Sequence, residues 1–150
     1  MIIYVDADGT PVKDEVVKVA ARYEVPVRFV ANRHQQVPLG RDVQLVVVGT
    51  GFDAADDWIA DEATTGDIVV TADIPLAARC LEKGARVLGP KGSPFSEESI
   101  GDAMANRALN DHLRQMGVMT GGPAPRKNQD RSRFLSKLDE LINAIRRDGR

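Results

Sequence analysis

The chain has a single cysteine, Cys80, so it can form no internal disulfide, and its fold must rest on a buried apolar core. One cysteine beside two histidines cannot assemble an ordinary structural zinc site either. Apolar runs are short, as at Leu45–Val48, and none approaches the ~20 residues of a membrane span. The opening M-I-I-Y-V-D-A-D reaches acid at Asp6 with no cationic start, so a signal peptide is not expected and the cytoplasm is the expected compartment. There is no internal repeat, no G-x-S-x-G and no Walker loop. These absences set aside disulfide scaffolds, zinc modules, membrane proteins, serine hydrolases of the elbow type and P-loop enzymes.

What is present suits a folded domain. With 150 residues, 43% apolar and 28% charged, the chain buries roughly 68–70% of its unfolded surface. The net charge of −2 conceals an asymmetry. Residues 1–111 carry 11 Lys/Arg against 18 Asp/Glu, a balance of −7, and residues 112–150 carry 9 against 4, a balance of +5. Most such charge runs are solvated helix faces, and an acidic body with a basic arm suits a polyanion-facing tail only if the body has a reason to approach nucleic acid.

Strand and helix signals alternate. Strands are expected at Ile2–Val5, Val27–Ala31, Val43–Val48 (buried), Ile68–Thr71 and Arg86–Leu88, with helices over Pro11–Tyr23, Ala54–Ala63 and Ile74–Lys83. Residues 32–41 and the Gly89–Pro94 stretch read as loops. Ser96-Glu97-Glu98 opens a helix to about Met116, closing a domain over 1–116. Residues 117–130 read as a linker, and 131–150 as an amphipathic basic helix with Phe134, Leu135, Leu138, Leu141, Ile142 and Ile145 on one face. That face is expected to pack on its own domain or against a second copy. The alternation predicts an α/β fold with three α/β/α layers, a mostly parallel sheet of about five strands and a central first strand beside the fourth.

Ligands of such sheets bind beyond the carboxyl ends of the strands. Asp6, Asp8, Asp53, Asp56 and Asp73 all fall at strand ends or in the following first helical turn. Crowded carboxylates repel one another, and a hard divalent cation, Mg²⁺ or Mn²⁺, relieves the repulsion. Asp53 and Asp56 also fit an N-cap and capping box, whereas neither Asp6 nor Asp73 is needed to end its strand. D-A-D-G-T (6–10) matches the opening motif of haloacid dehalogenase-type phosphatases, with Thr71 as a second motif. In that reading Asp6 is the nucleophile, but the acid pair Asp56-Asp57 then precedes Thr71 where it should follow. G-T-G-F-D-A (49–54) resembles a dinucleotide fingerprint. It follows the third strand, not the first, and would set carboxylates against a pyrophosphate.

An acid after strand one, acids on the helix after strand three and T-A-D after strand four follow the order of PIN-like metal-dependent nucleases. D-A-D-G-T-P-V-K (6–13), V-A-N-R (30–33), G-F-D-A-A-D (51–56), G-D-I-V-V-T-A-D-I-P-L-A (66–77), G-P-K-G (89–92) and T-G-G-P (120–123) occur in sequence. Together they resemble the bacterial YaiI/YqxD family over nearly the whole chain. The resemblance implies a PIN-like fold and, through the wider PIN-like group, nuclease chemistry. The chain departs from the family pattern at Gly9-Thr10, which replaces an Ala-Cys and removes any thiol role. It also departs at Lys91, which replaces an arginine and offers a point charge without a bidentate fork.

The expected function is therefore metal-dependent phosphodiester hydrolysis of single-stranded RNA. Asp6, Asp56 and Asp73 would be catalytic, with Asp8 and Asp53 completing the metal site. Lys13, Asn32, Arg33, Thr71, Lys91, Arg126, Lys127 and Arg131 would hold phosphates. A non-catalytic metal- or RNA-binding module and a phosphatase are the alternatives. Cys80 and Trp58 read as core, and His34 as solvated.

Overall fold

In the computed structural model, which describes residues 1–49, 51, 53–101 and 128–148, six strands form one sheet in the order β3-β2-β1-β4-β5-β6. The chain runs β1 (Ile3–Asp6), α1 (Lys13–Tyr23), β2 (Val27–Ala31), β3 (Val43–Val47), α2 (Ala54–Glu62), β4 (Ile68–Val70), α3 (Ile74–Glu82), β5 (Arg86–Leu88) and β6 (Pro94–Phe95). Then come α4, described over residues 97–101, and α5 (Asn128–Asp148). β1 to β5 are parallel, and β1 lies between β2 and β4. The expected α/β architecture and the central first strand are what the chain adopts.

Both margins of the sheet differ from expectation. Within the stretch read as a loop, Gly92 N–H donates to the Gly89 carbonyl at 3.0 Å, and the chain returns as β6, antiparallel to β5. A two-residue strand that itself begins with proline and lies between Ser93 and Ser96 carries no periodicity that could announce it, and proline is tolerated at a sheet edge. β3 is the opposite edge. It was expected to be buried, yet its residues are half-buried or exposed. An unbroken apolar run normally marks a strand covered on both faces. Here the connection from β2 to β3, residues 32–42, contains no helix to cover this margin.

The layers follow from the pleat, which sends alternate side chains to opposite faces. Ile3, Val5, Val27, Phe29, Ile68, Val70 and Leu88 join one core with Val16, Val19 and Ala20 of α1 and Phe134, Leu138 and Ile142 of α5. Tyr4, Val30, Val69 and Val87 join the other with Ile59 of α2 and Leu76, Ala77 and Cys80 of α3. Trp58 packs at the rim of this second core, edge-on to Tyr4 with ring centroids 5.8 Å apart.

α5 begins at Asn128, ahead of the expected start at residue 131, and its apolar face lies on its own domain. A polar clasp fixes its register on α1. Tyr23 donates its hydroxyl to Asp139 Oδ1 (2.7 Å), Arg22 pairs with Asp139 Oδ2 (2.8 Å), and Asn143 Nδ2 donates to the Tyr23 oxygen (3.1 Å). Gly92 sets the contact at the other side. At its φ of +86° a side chain is strained, and a Cβ there would lie 2.7 Å from the Arg133 carbonyl carbon and the Phe134 nitrogen. The expected helix beyond residue 101 and the linker residues 117–127 lie outside the described residues. No helix among the described residues is long and apolar enough to cross a membrane.

Candidate functional site

Because β1 and β4 are neighbours, Asp6 at the end of β1 stands beside Thr71, which follows β4. Thr71 Oγ1 donates to Asp6 Oδ2 (3.0 Å) and accepts from the Asp73 backbone N–H (3.0 Å). Thr71 is fully buried, so this hydroxyl, expected at a phosphate, is instead committed to holding Asp6. Thr10 Oγ1 donates to the Asp6 carbonyl. Asp73 is the N-cap of α3, with Oδ1 accepting from Leu76 N–H at 2.9 Å. It is not needed to end its strand, but it is used to begin the next helix.

At α2 the capping runs the other way. Asp53 occupies the N-cap position without a side-chain cap bond, so the expected Asp53/Asp56 capping box does not form. The helix start is satisfied from across the cleft, where Asn32 Oδ1 accepts from Ala55 N–H (3.2 Å). Asn32 in turn donates its backbone N–H to Asp8 Oδ2 (2.9 Å), and Gln35 Nε2 donates to Asp8 Oδ1 (3.0 Å). Lys13 Nζ donates to Gln35 Oε1. Asp8 thus fastens the loop after β2 to the loop after β1. Gln35 was missed from sequence: a polar residue in an aperiodic loop gains a role only once the strands around it pair.

The five aspartates Asp6, Asp8, Asp53, Asp56 and Asp73 line one cleft of about 320 Å³ with Gly9, Asn32 and Ala55, and among the described residues no lysine or arginine lines it. A second cleft of about 690 Å³ adjoins it at Asp8 and Gly9 and is bordered by Thr10, Lys13, Asp14, Glu15 and Gln35. Burial raises the Asp6 carboxyl above its ordinary value; the Thr71 hydrogen bond opposes this, and Asp73 and Asp8 add to it. Asp56 is pushed up to about 6, first by burial and then by the charges of Asp73, Asp6, Asp53 and Asp57. Both shifts reflect, first, carboxyl groups taken out of water and, second, the carboxylates beside them. Among the described residues, no group of three or more His, Cys, Asp or Glu side chains is arranged to hold a metal ion.

A family model described as "Uncharacterized BCR, YaiI/YqxD family" matches residues 4–144. The chain belongs to the YaiI/YqxD family. A UPF0178 protein of Rhodopseudomonas palustris strain BisB18 is 53% identical over 148 residues, covering 99% of this chain and 96% of its own length. The UPF0178 protein RC1_2062 of Rhodospirillum centenum is 54% identical over 149 residues, covering 97% of both chains. No solved structure matches the chain.

In this YaiI/YqxD chain the other expected phosphate contacts are scattered. Arg33 is exposed and Lys91 half-buried in the β5–β6 turn, and neither lines the aspartate cleft. Arg131 pairs through Nε with Glu15 Oε1 at 3.1 Å, joining α5 to α1. Arg126 and Lys127 lie outside the described residues. Cys80 is fully buried, which pushes its thiol up to about 11, so it is a small core residue and no nucleophile. His34 is exposed in the β2–β3 loop.

Proposed function

We propose that this YaiI/YqxD protein is a PIN-like nuclease that uses Mg²⁺ or Mn²⁺ to hydrolyse phosphodiester bonds of single-stranded RNA. One observation carries the reading. Five aspartates from three segments line one cleft, with no lysine or arginine among the described residues of its lining, beyond the carboxyl ends of β1 and β4, where such sheets bind ligands. The donor chemistry suits a hard cation. That no three acids converge is compatible with magnesium, which is often held by one or two carboxylates with waters and substrate oxygens. Asp6 and Asp56 are the ligands of choice, because both are raised in pKa and so gain most from a cation. Asp73, Asp8 and Asp53 would complete the field, with Asp73 and Asp8 each keeping their scaffold bonds. When bound, the cation would offset charge on the phosphoryl group and make water a better nucleophile near neutral pH. Thr71 orients Asp6, while Lys13, Arg33, Arg131 and the basic stretch at Arg126-Lys127 would attract the phosphate backbone.

A binding module without catalysis is the second reading. It is favoured by the hydrogen bonds that tie Asp8 and Asp73 into the fold. The deciding experiment measures melting temperature and cleavage of a labelled single-stranded RNA, with and without Mn²⁺ or Mg²⁺, on protein freed of host nucleases. The nuclease reading expects cleavage only with metal, and a loss of about a hundredfold or more in Asp6→Asn and Asp56→Asn. A melting temperature raised by metal without cleavage would select the binding module. Indifference to metal in both assays would sink the two readings together. Rapid release of phosphate from p-nitrophenyl phosphate, lost in Asp6→Asn, would select the phosphatase.

A further inference from the structure

β3 is the last strand of the sheet on its side, and no strand of the described residues pairs with its outer edge. The Asp42 carbonyl accepts from Val27 N–H (3.1 Å) and Val48 N–H donates to the Ala31 carbonyl (3.0 Å). Even-numbered positions therefore turn their main-chain groups toward β2, and Val43, Leu45 and Val47 turn theirs outward. Val43 N–H makes a long bond to the Gly40 carbonyl at 3.4 Å; the other outward groups have no partner among the described residues. Protein edges are usually guarded by lysine, proline or a bulge. This one has none of these, and no charged side chain from Val43 to Gly49. Apart from the exposed Gln44, its side chains are apolar: Val43 and Leu45 lean on one core, Val46 and Val48 on the other. Val47 is 49% exposed, and Leu39, just before the strand, is 99% exposed.

We propose that this edge pairs with the same edge of a second copy, antiparallel about Leu45, so that the two sheets become continuous. The register is self-matching. Leu45 would exchange both main-chain bonds with Leu45 of the second copy, and Val47 N–H would meet the Val43 carbonyl of the second copy. Those are the groups that point outward. Apolar side chains would face apolar ones on the α1 side of the sheet. Arg41 and Asp42 would fall beside Gly49 and Val48 of the second copy, so no like charges oppose one another. A parallel, in-register approach would set Arg41 against Arg41 and Asp42 against Asp42, and it cannot close as a two-fold pair. A neutral strand that complements itself in this way selects a like strand over a charged partner.

The test uses the whole chain. Sedimentation at micromolar concentration should give twice the 16.3 kDa chain mass. Val47→Lys, at an exposed position, should weaken association by on the order of tenfold or more with an unchanged circular dichroism spectrum, whereas Val47→Thr should remain dimeric. Should the lysine variant misfold, register is read by cross-linking. In the proposed pairing the Leu45 Cα atoms of the two copies lie about 5.5 Å apart, within disulfide reach. Leu45→Cys should therefore oxidise to a covalent dimer and Gln44→Cys should not, while the buried Cys80 stays out of the reaction. A monomeric wild type, as expected if another protein's strand fills this edge, would overturn the proposal. So would a dimer that survives Val47→Lys intact or cross-links through Gln44→Cys.

Discussion

Asp56 makes no hydrogen bond or ion pair with the described residues, and every charge that shifts it is another acid. Its folded-state pKa, about 6, stands above its ordinary value of 3.8. Between those limits the native state binds more protons than the unfolded chain, so stability falls as pH rises from about 4 to about 6 and stays reduced above. Without metal, Asp56→Asn should therefore stabilise the protein at pH 7, by about 1 kcal/mol once solvent screening of a half-exposed group is allowed for. The gain should vanish at pH 4, which thermal melts at the two pH values would show. An unchanged melting temperature at pH 7 would mean that the carboxylate is already compensated. The cluster as a set of acids was legible in the sequence, because strand ends and helix starts are marked by apolar runs. The division of labour inside it was not. Asp53 reads from sequence as a helix cap and Asp73 as free of one, yet it is Asp73 that spends an oxygen on a cap and Asp53 that does not.

At the scale of elements, strands and helices fell close to their expected bounds, since the period of apolar residues survives in the short sequence window around each one. What escaped depends on pairing across the chain. α2 is capped by Asn32, which arrives from the loop after β2, and no local rule points from residue 55 back to residue 32. Asn32→Ala should cost about 1 kcal/mol, the usual worth of a cap. Asp53→Ala, at the formal cap position, should cost little or even stabilise by thinning the negative charge. Urea unfolding of the two variants separates them, and a larger loss from Asp53→Ala would refute the assignment. β3 and β6 escaped for a related reason: whether a strand is an edge is decided by its neighbours in space, not by its own residues.

For the whole molecule, the decisive contact is α5 on α1. Phe134, Leu138 and Ile142 are fully buried there, so Leu138→Ala should cost about 2–5 kcal/mol. Gly92→Ala should also destabilise, because the added carbon meets main-chain atoms of α5 and the residue holds a positive φ. Calorimetry on both variants checks this, and a Gly92→Ala protein as stable as wild type would mean that the β5–β6 turn moves aside freely. The basic arm read as an RNA contact is here partly a structural strut, through Arg131 and Glu15.

The same helix bears on how the protein is made. Synthesis adds about 5–20 residues per second from the amino end, so the face of the sheet that α5 covers is complete well before α5 itself exists. During that interval Phe29, Val5 and Val16 have no lid on the ribosome-bound chain, and a message broken before codon 142 would release a product with that face bare. Such fragments should be found with chaperones or in inclusion bodies, and the nascent chain should become protease-resistant only once α5 has left the exit tunnel.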